Sequence, residues 1–237
     1  MELTEKKFID GSMLKVLAMI AMLIDHTGEH IIYYLQGAHR ILFSTMGEDF
    51  SPYFISRFIG RIAFPIFCFL IIEGFIHTHN RIKYGRNLLL FALISEIPWN
   101  LIHTNSLFYG RQNVFFTLFM GFLSLYAIEK LKGKKVFLLP TLVAIYVFAY
   151  FFKADYSYIG VVFITAIYIL RTNKMLMTVI GIFLLPSKWI GGLAFIPIAF
   201  YNGKRGFIQG KIAKYTFYAF YPVHLLILYF IKLAILG

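Results

Sequence analysis

Apolar runs fill nearly the whole of this 237-residue chain, separated only by short basic clusters. That alternation constrains the fold more than any motif does. A run of about 20 apolar residues spans a bilayer as a helix, and no polar stretch here is long enough to bury a soluble core of its own. The runs predict helices at about 13–35, 54–76, 86–103, 114–130, 136–152, 157–170, 175–186, 189–201 and 214–236. The expected fold class is therefore all-α: a polytopic integral membrane helical bundle of about nine transmembrane helices, with residues 1–237 as a single domain. The stretch 175–201 reads as two short spans around Pro186 and Trp189, either a re-entrant pair or a broken helix.

Charge sets the orientation. With the N-terminus cytoplasmic, the inner segments hold sixteen basic residues: Lys6, Lys7, Lys15, Arg81, Lys83, Arg86, Lys130, Lys132, Lys134, Lys135, Arg171, Lys174, Lys204, Arg205, Lys211 and Lys214. The outer side holds five, Arg40, Arg111, Lys153, Lys188 and Lys232. This is the positive-inside pattern, and it accounts for the net charge of +12 without a nucleic-acid partner. A hydrophobic fraction of 59%, a mean hydropathy of +0.74 and 14% charged residues agree with a multi-pass protein of the cell membrane. The one cysteine, Cys68, lies inside an apolar run, which excludes a disulfide framework and a cysteine-based metal site. The basic N-terminus precedes an apolar segment interrupted by polar groups and followed by no small-residue cleavage site, which predicts a retained helix.

A polar island breaks the first run. Asp25 and His26 stand side by side in MIAMLIDHTGEH, with Glu29 and His30 one turn on, and His26 falls past the midplane toward the outer side. Ionisable groups at that depth cost a few kcal/mol each and mark function by default. Arg57 and Arg61 share a face in the outer half of the second helix and Glu73 lies near its inner end; Arg57 is expected to snorkel outward, Arg61 to stay deeper. Ser95, Glu96 and Asn100 bring polar groups to the outer half of the third helix, where Pro98 frees a carbonyl near Ile94. Asn113 and Thr117 open the fourth helix at a similar level, and His224 follows a proline in the last. Packing alternatives accompany these: Asp25 and His26 as an ion pair or hydrogen bond locking helices, Glu73 neutralising His77 or a basic residue of the inner loop, and His224 as a packing histidine.

Three chemistries suit such an island. His26, Glu29 and His30 satisfy His-x-x-Glu-His, the pattern of inverted zinc peptidases, although a third ligand would be needed. A transporter could use midplane acids, arginines and histidines as a path, but no repeat relates the two halves. A histidine beside a carboxylate is also a general base for acyl transfer, with Arg61, Asn113 and Thr117 available to an oxyanion and the inner basic loops to phosphates.

The motifs MLIDHTGEH, SRFIGRIAFPIFCFLIIEGF, LISEIPWNL, NVFFTLFMGFL, DYSYIGV and YPVHLLIL, in this order, resemble the TraX family, named for the protein that N-acetylates conjugative pilin. That family resembles the wider transmembrane acyltransferases, including the acyltransferase type 3 proteins and heparan glucosaminide acetyltransferase. The resemblance implies a bacterial plasma-membrane acetyltransferase that takes acetyl-CoA from the cytosolic side. It implies His26 as catalytic base with Asp25 as its partner, and it marks Arg61, Glu73, Glu96, Asn113 and Thr117 as matching polar positions. Arg61 and Glu96 are assigned to catalysis; Glu73, Asn113, Thr117, Arg81 and Lys83 are assigned to the donor. The acceptor is expected to be a peptide, glycan or lipid bearing an amine or hydroxyl.

Overall fold

The computed structural model describes residues 7–45, 47–185 and 189–236, the side chain of Trp189 excepted. Lys6, Pro186 and Lys188, which enter the expected topology, lie outside the described residues, as do the first residues of the N-terminal segment read as retained. The chain is mostly helical: α1 Gly11–His30, α2 Pro52–Gly60, α3 Ala63–His77, α4 Arg81–Thr104, α5 Val114–Lys130, α6 Lys135–Phe151, α7 Ser157–Leu170, α8 Lys174–Leu184, α9 Trp189–Gly192, α10 Phe195–Ala199 and α11 Gly210–Leu236. Taking α2 with α3 and α9 with α10, each predicted helix has a counterpart among the described residues.

Two of these segments, Pro52–His77 and Gly210–Leu236, are long and apolar enough, by length and composition, to cross a membrane, which points to membrane association. Four others, Lys135–Phe151, Ser157–Leu170, Lys174–Leu184 and Ile190–Ala199, are apolar but shorter. The first helix ends at His30 rather than near residue 35, because a tight turn over Ile32–Tyr34 follows it. The third predicted helix starts earlier, at Arg81, where Asn80 Oδ1 accepts from Lys83 N at 2.8 Å. A feature absent from the all-α expectation is a small hairpin, β1 Phe43–Thr45 against β2 Glu48–Phe50, paired antiparallel with Phe43 opposite Phe50. Gly47, at φ +77°, supplies the left-handed backbone that so short a reversal needs.

The chain divides into two compact units, with divisions inside α3 and α4, after Leu107 and after Gly192. The first contains residues 1–67, 98–107 and 193–237. Here Asp10 caps α1, accepting from Ser12 N and Met13 N at 2.8 and 2.9 Å. Ser12, fully buried, donates to Arg205 O and accepts from Ile208 N, so the start of α1 is clasped by the segment leading into α11. Ser51 caps α2 and Pro52 opens it. Two glycines let α1 and α2 approach: a Cβ on Gly28 would collide with Ser56, and one on Gly60 with the carboxylate of Asp25. Leu14, Ala18, Ile102, Leu225 and Leu228 are buried in this unit.

The second unit contains residues 68–97 and 108–192. Its α7 packs on α5, α6 and α8, and Phe75, Leu88, Leu125, Phe163, Ile164 and Ile167 form its core. Gly85 and Gly121 admit the side chains of Phe122 and Ile164 at contacts a Cβ would close.

Candidate active site

The first unit gathers the polar island of α1 with groups from α2, α4 and α11. Asp25 and Glu29 are four residues apart and so share a helical face, where Arg57 of α2 reaches both. One nitrogen, Arg57 Nη1, lies 2.9 Å from Asp25 Oδ2 and 2.7 Å from Glu29 Oε2, and it also reaches the Asp25 carbonyl at 3.4 Å. Arg57 therefore does not snorkel outward. Its side chain is only 16% exposed, and it clamps the two carboxylates that would otherwise repel each other.

His26 turns the other way. Its Nδ1 lies 2.7 Å from His224 Nε2, the two rings stacked within 3° at 5.0 Å between centroids. His224 Nδ1 in turn lies 2.7 Å from the carbonyl of Phe220, one turn earlier on α11. The carbonyl can only accept, so His224 carries its proton on Nδ1 and, with both rings neutral, accepts at Nε2 from His26 Nδ1–H. His26 Nε2 is left as a lone pair without a hydrogen bond among the described residues. The expected Asp25–His26 dyad is thus replaced. Neighbours on one helix point about 100° apart, and the carboxylate is taken by Arg57 while the imidazole is taken by His224.

Elsewhere in this unit, several polar atoms lack partners among the described residues. Asp25 Oδ1, His30 Nε2 and Asn100 Oδ1 are buried without a hydrogen bond among the described residues. Asn100 Nδ2 is engaged, donating to Leu107 O at 2.7 Å. Arg61, half-buried at the break between α2 and α3, makes no side-chain hydrogen bond among the described residues, although its charge lies within the field of Asp25. His30 packs edge-on against His103 of α4 at 4.7 Å between centroids. The end of α11 is tied to α4 by Lys232 Nζ to Ile102 O at 3.1 Å and by Tyr229 Oη to Asn105 Oδ1.

The remaining expected residues belong to the second unit. Asn113 is fully buried and caps α5: its Oδ1 accepts from Phe115 N at 3.0 Å, and its Nδ2 donates to Ala92 O at 2.8 Å and to Glu96 Oε2 at 2.6 Å. Thr117, also fully buried, accepts from Tyr156 N at 3.4 Å. Glu73 Oε2 sits 3.4 Å from His77 Nε2, its neighbour one turn on. Arg81 lies over the Phe75 ring at 4.4 Å and 3.8 Å from Glu129, whose other oxygen accepts from Tyr168 Oη. Lys83 is exposed.

Of the expected catalytic residues, then, Asp25, His26 and Arg61 share the first unit while Glu96 pairs with Asn113 in the second. The sequence reading passed over Arg57 and His224 as site residues. A signal existed for the first, since two acids at i and i+4 on a membrane helix require a cation. His224 carried a weaker one, a histidine just after a helix proline within a matched motif. No group of three or more His, Cys, Asp or Glu among the described residues is placed to hold a metal ion, and Glu29 of the His-x-x-Glu-His match is ion-paired.

Comparison with known proteins gives a consistent result. No solved structure matches the chain. A relative described as probable fimbrial assembly protein FimC, serogroup H1, from Dichelobacter nodosus is 30% identical over 247 aligned positions, covering 91% of this chain and 92% of the relative. The family described as TraX protein matches residues 10–232, nearly the whole length, and the chain therefore belongs to the TraX family.

Proposed function

We propose that this chain is a multi-pass membrane acetyltransferase, N-terminus cytoplasmic, that moves the acetyl group of cytosolic acetyl-CoA to an amine or hydroxyl acceptor. The acceptor classes are a peptide such as a pilin N-terminus, a glycan or a lipid. The name of the fimbrial relative and the family's association with pilin modification favour the peptide. Nine helical segments, counting α2 with α3 and α9 with α10 as one each, would supply the spans, the shorter ones by local thinning of the bilayer and snorkelling of their flanking residues. A kinship with the acyltransferase type 3 proteins is part of the same proposal.

The observation that carries the reading is the Phe220 O to His224 to His26 chain of hydrogen bonds, because it leaves one lone pair, His26 Nε2, with its tautomer and direction set. His26 takes the acceptor's proton as nitrogen or oxygen attacks the thioester carbonyl. The carbon–sulfur bond then breaks, and His26 returns that proton to the departing thiolate. His224 positions the base, as a carboxylate does in better-known triads. Arg61, with no hydrogen-bond partner of its own among the described residues, is the donor available to the oxyanion, and the Asp25–Arg57–Glu29 clamp holds α1 and α2 in register beneath it. Arg81 and Lys83, near the cytoplasmic end of α4, would meet the carrier's phosphates. In this reading Glu73, Glu96, Asn113 and Thr117 act by holding helix ends and pairs within the second unit.

The test is label transfer from radioactive acetyl-CoA by protein in nanodiscs, with host-membrane extract as acceptor and hydrolysis recorded alongside. Wild type is expected to turn over, and His26→Ala to lose roughly 10²–10⁴-fold in rate, the span of general-base catalysis. A well-folded His26→Ala protein with full activity would sink the proposal.

A further inference from the structure

Four of the seven histidines form one cluster in the first unit, and the chemistry above uses two of them. His26 and His30 share a face of α1, 6.2 Å between centroids, and His30 meets His103 edge-on at 4.7 Å. His30 is 4% exposed, and its Nε2 has no hydrogen bond among the described residues. A buried polar atom left so is costly, which a residue serving only to fill space would avoid. His103 is half-buried one residue from the end of α4, and residues 104–108 beyond it are exposed. Its Nδ1 lies 2.8 Å from Trp99 O, which fixes the ring on α4.

The proposed reaction needs such a path when the acceptor is an amine. An ammonium must shed two protons to become an amide as its nitrogen bonds the acetyl carbon and the carbon–sulfur bond breaks. The thiolate retains one. The other must reach water, or His26 stays protonated and the next turnover stalls.

We infer that His30 and His103 are a proton relay, carrying that second proton from His26 to the exposed end of α4. The inference rests on the acetyltransferase reading. The charged and titratable groups facing His30 are His103 on α4, Lys232 and His224 on α11 and Arg57 on α2, with His26 on its own helix. Lys232 and Arg57 are held elsewhere, by the Ile102 carbonyl and by the α1 carboxylates. Glu29, whose charge acts on His103, is held by Arg57, which leaves the histidines to pass the proton on along this line.

The experiment measures thiol release from acetyl-CoA in nanodiscs, with host-membrane extract supplying amine acceptors, for wild type, His30→Phe and His30→Ala. Phenylalanine keeps the ring packed on His103 but carries no proton. Alanine opens a space that added imidazole can enter. The relay predicts at least a tenfold fall in turnover for His30→Phe with KM for acetyl-CoA unchanged. It also predicts that imidazole restores the turnover of His30→Ala in proportion to its concentration. Wild-type turnover in His30→Phe, or a loss in folded His30→Ala that imidazole never restores, would overturn it; the imidazole arm decides if the phenylalanine variant misfolds. Wild-type protein that releases no thiol would instead overturn the transferase reading and the relay with it.

Discussion

The two units bury the same kinds of polar residue and use them differently. In the second, Asn113 spends all three of its bonds on a helix end, the Ala92 carbonyl and the Glu96 carboxylate, and Glu129 closes on Tyr168 and Arg81. In the first, bonds stop short. The chain from Phe220 through His224 ends at His26 Nε2, the clamp leaves Asp25 Oδ1 open, and His30 Nε2 is orphaned among the described residues. A polar group saturated by backbone and neighbours holds structure, whereas one aligned by a neighbour and left open is available to a ligand. The second unit has its own orphans, Asn87 Nδ2 and Ser95 Oγ, but they stand two helical turns apart on α4 with no aligned base between them.

The sharpest way to break the comparison is at Arg57. Arg57→Leu leaves the largely buried Asp25 carboxylate and the partly exposed Glu29 carboxylate without their cation and is expected to cost about 3 kcal/mol, seen as a fall in the thermal midpoint in nanodiscs. Adding Asp25→Asn and Glu29→Gln should restore most of that stability, because no unpaired charge then remains. A triple variant as unstable as the single one would show that the clamp is not what links α1 to α2. His224→Gln tests the open end instead. Glutamine fills the place but does not fix the imidazole tautomer, so turnover should fall about a hundredfold, on the order of 2.7 kcal/mol in the barrier, with the midpoint near wild type. Equal losses of turnover and stability would make His224 a packing histidine after all.

Gly60→Ala ties geometry to chemistry. The added methyl would meet the Asp25 carboxylate, so α2 must move and carry Arg57 with it. A cost of about 1–3 kcal/mol is expected, as for other overpacked sites, along with roughly tenfold slower turnover. An alanine variant matching wild type in both measurements would mean that the close approach of α1 and α2 is not needed.

How much of this could be read beforehand follows the range of each interaction. Hydropathy located every long helix within a few residues, because burial in lipid or core is a property of a local run. The acid–histidine island was visible for the same reason: charge in an apolar run stands out wherever its partner lies. Its pairings were not visible. His26 and His224 are 198 residues apart, and helical periodicity tells which face a residue occupies but not what lies opposite. Adjacency in sequence suggested Asp25 for His26, although adjacent helical residues diverge. The hairpin escaped because three-residue strands carry too little alternation to be distinguished from loop.

The smallest expected effect is the one that separates the two units most cleanly. Asn113 sits in a matched motif and is fully buried, so the sequence reading enlists it for the donor. Its bonds instead describe a capping residue: one acceptor bond to Phe115 N, and donor bonds that return to α4. Asn113→Ala therefore removes a cap and the partner of Glu96, a loss of about 1–2 kcal/mol. Asn113→Asp should keep the cap but face the Glu96 carboxylate with a like charge, and so be no better. Adding Glu96→Gln to that variant, which gives the introduced carboxylate an amide donor in place of a like charge, should recover part of the midpoint. Throughout this series turnover per folded molecule and KM for acetyl-CoA should stay within about twofold of wild type, since no reacting group has moved. A rise in KM that does not follow the fall in stability would instead put Asn113 against the donor, and the distinction between saturated and open polar groups would fail at the residue where it is clearest.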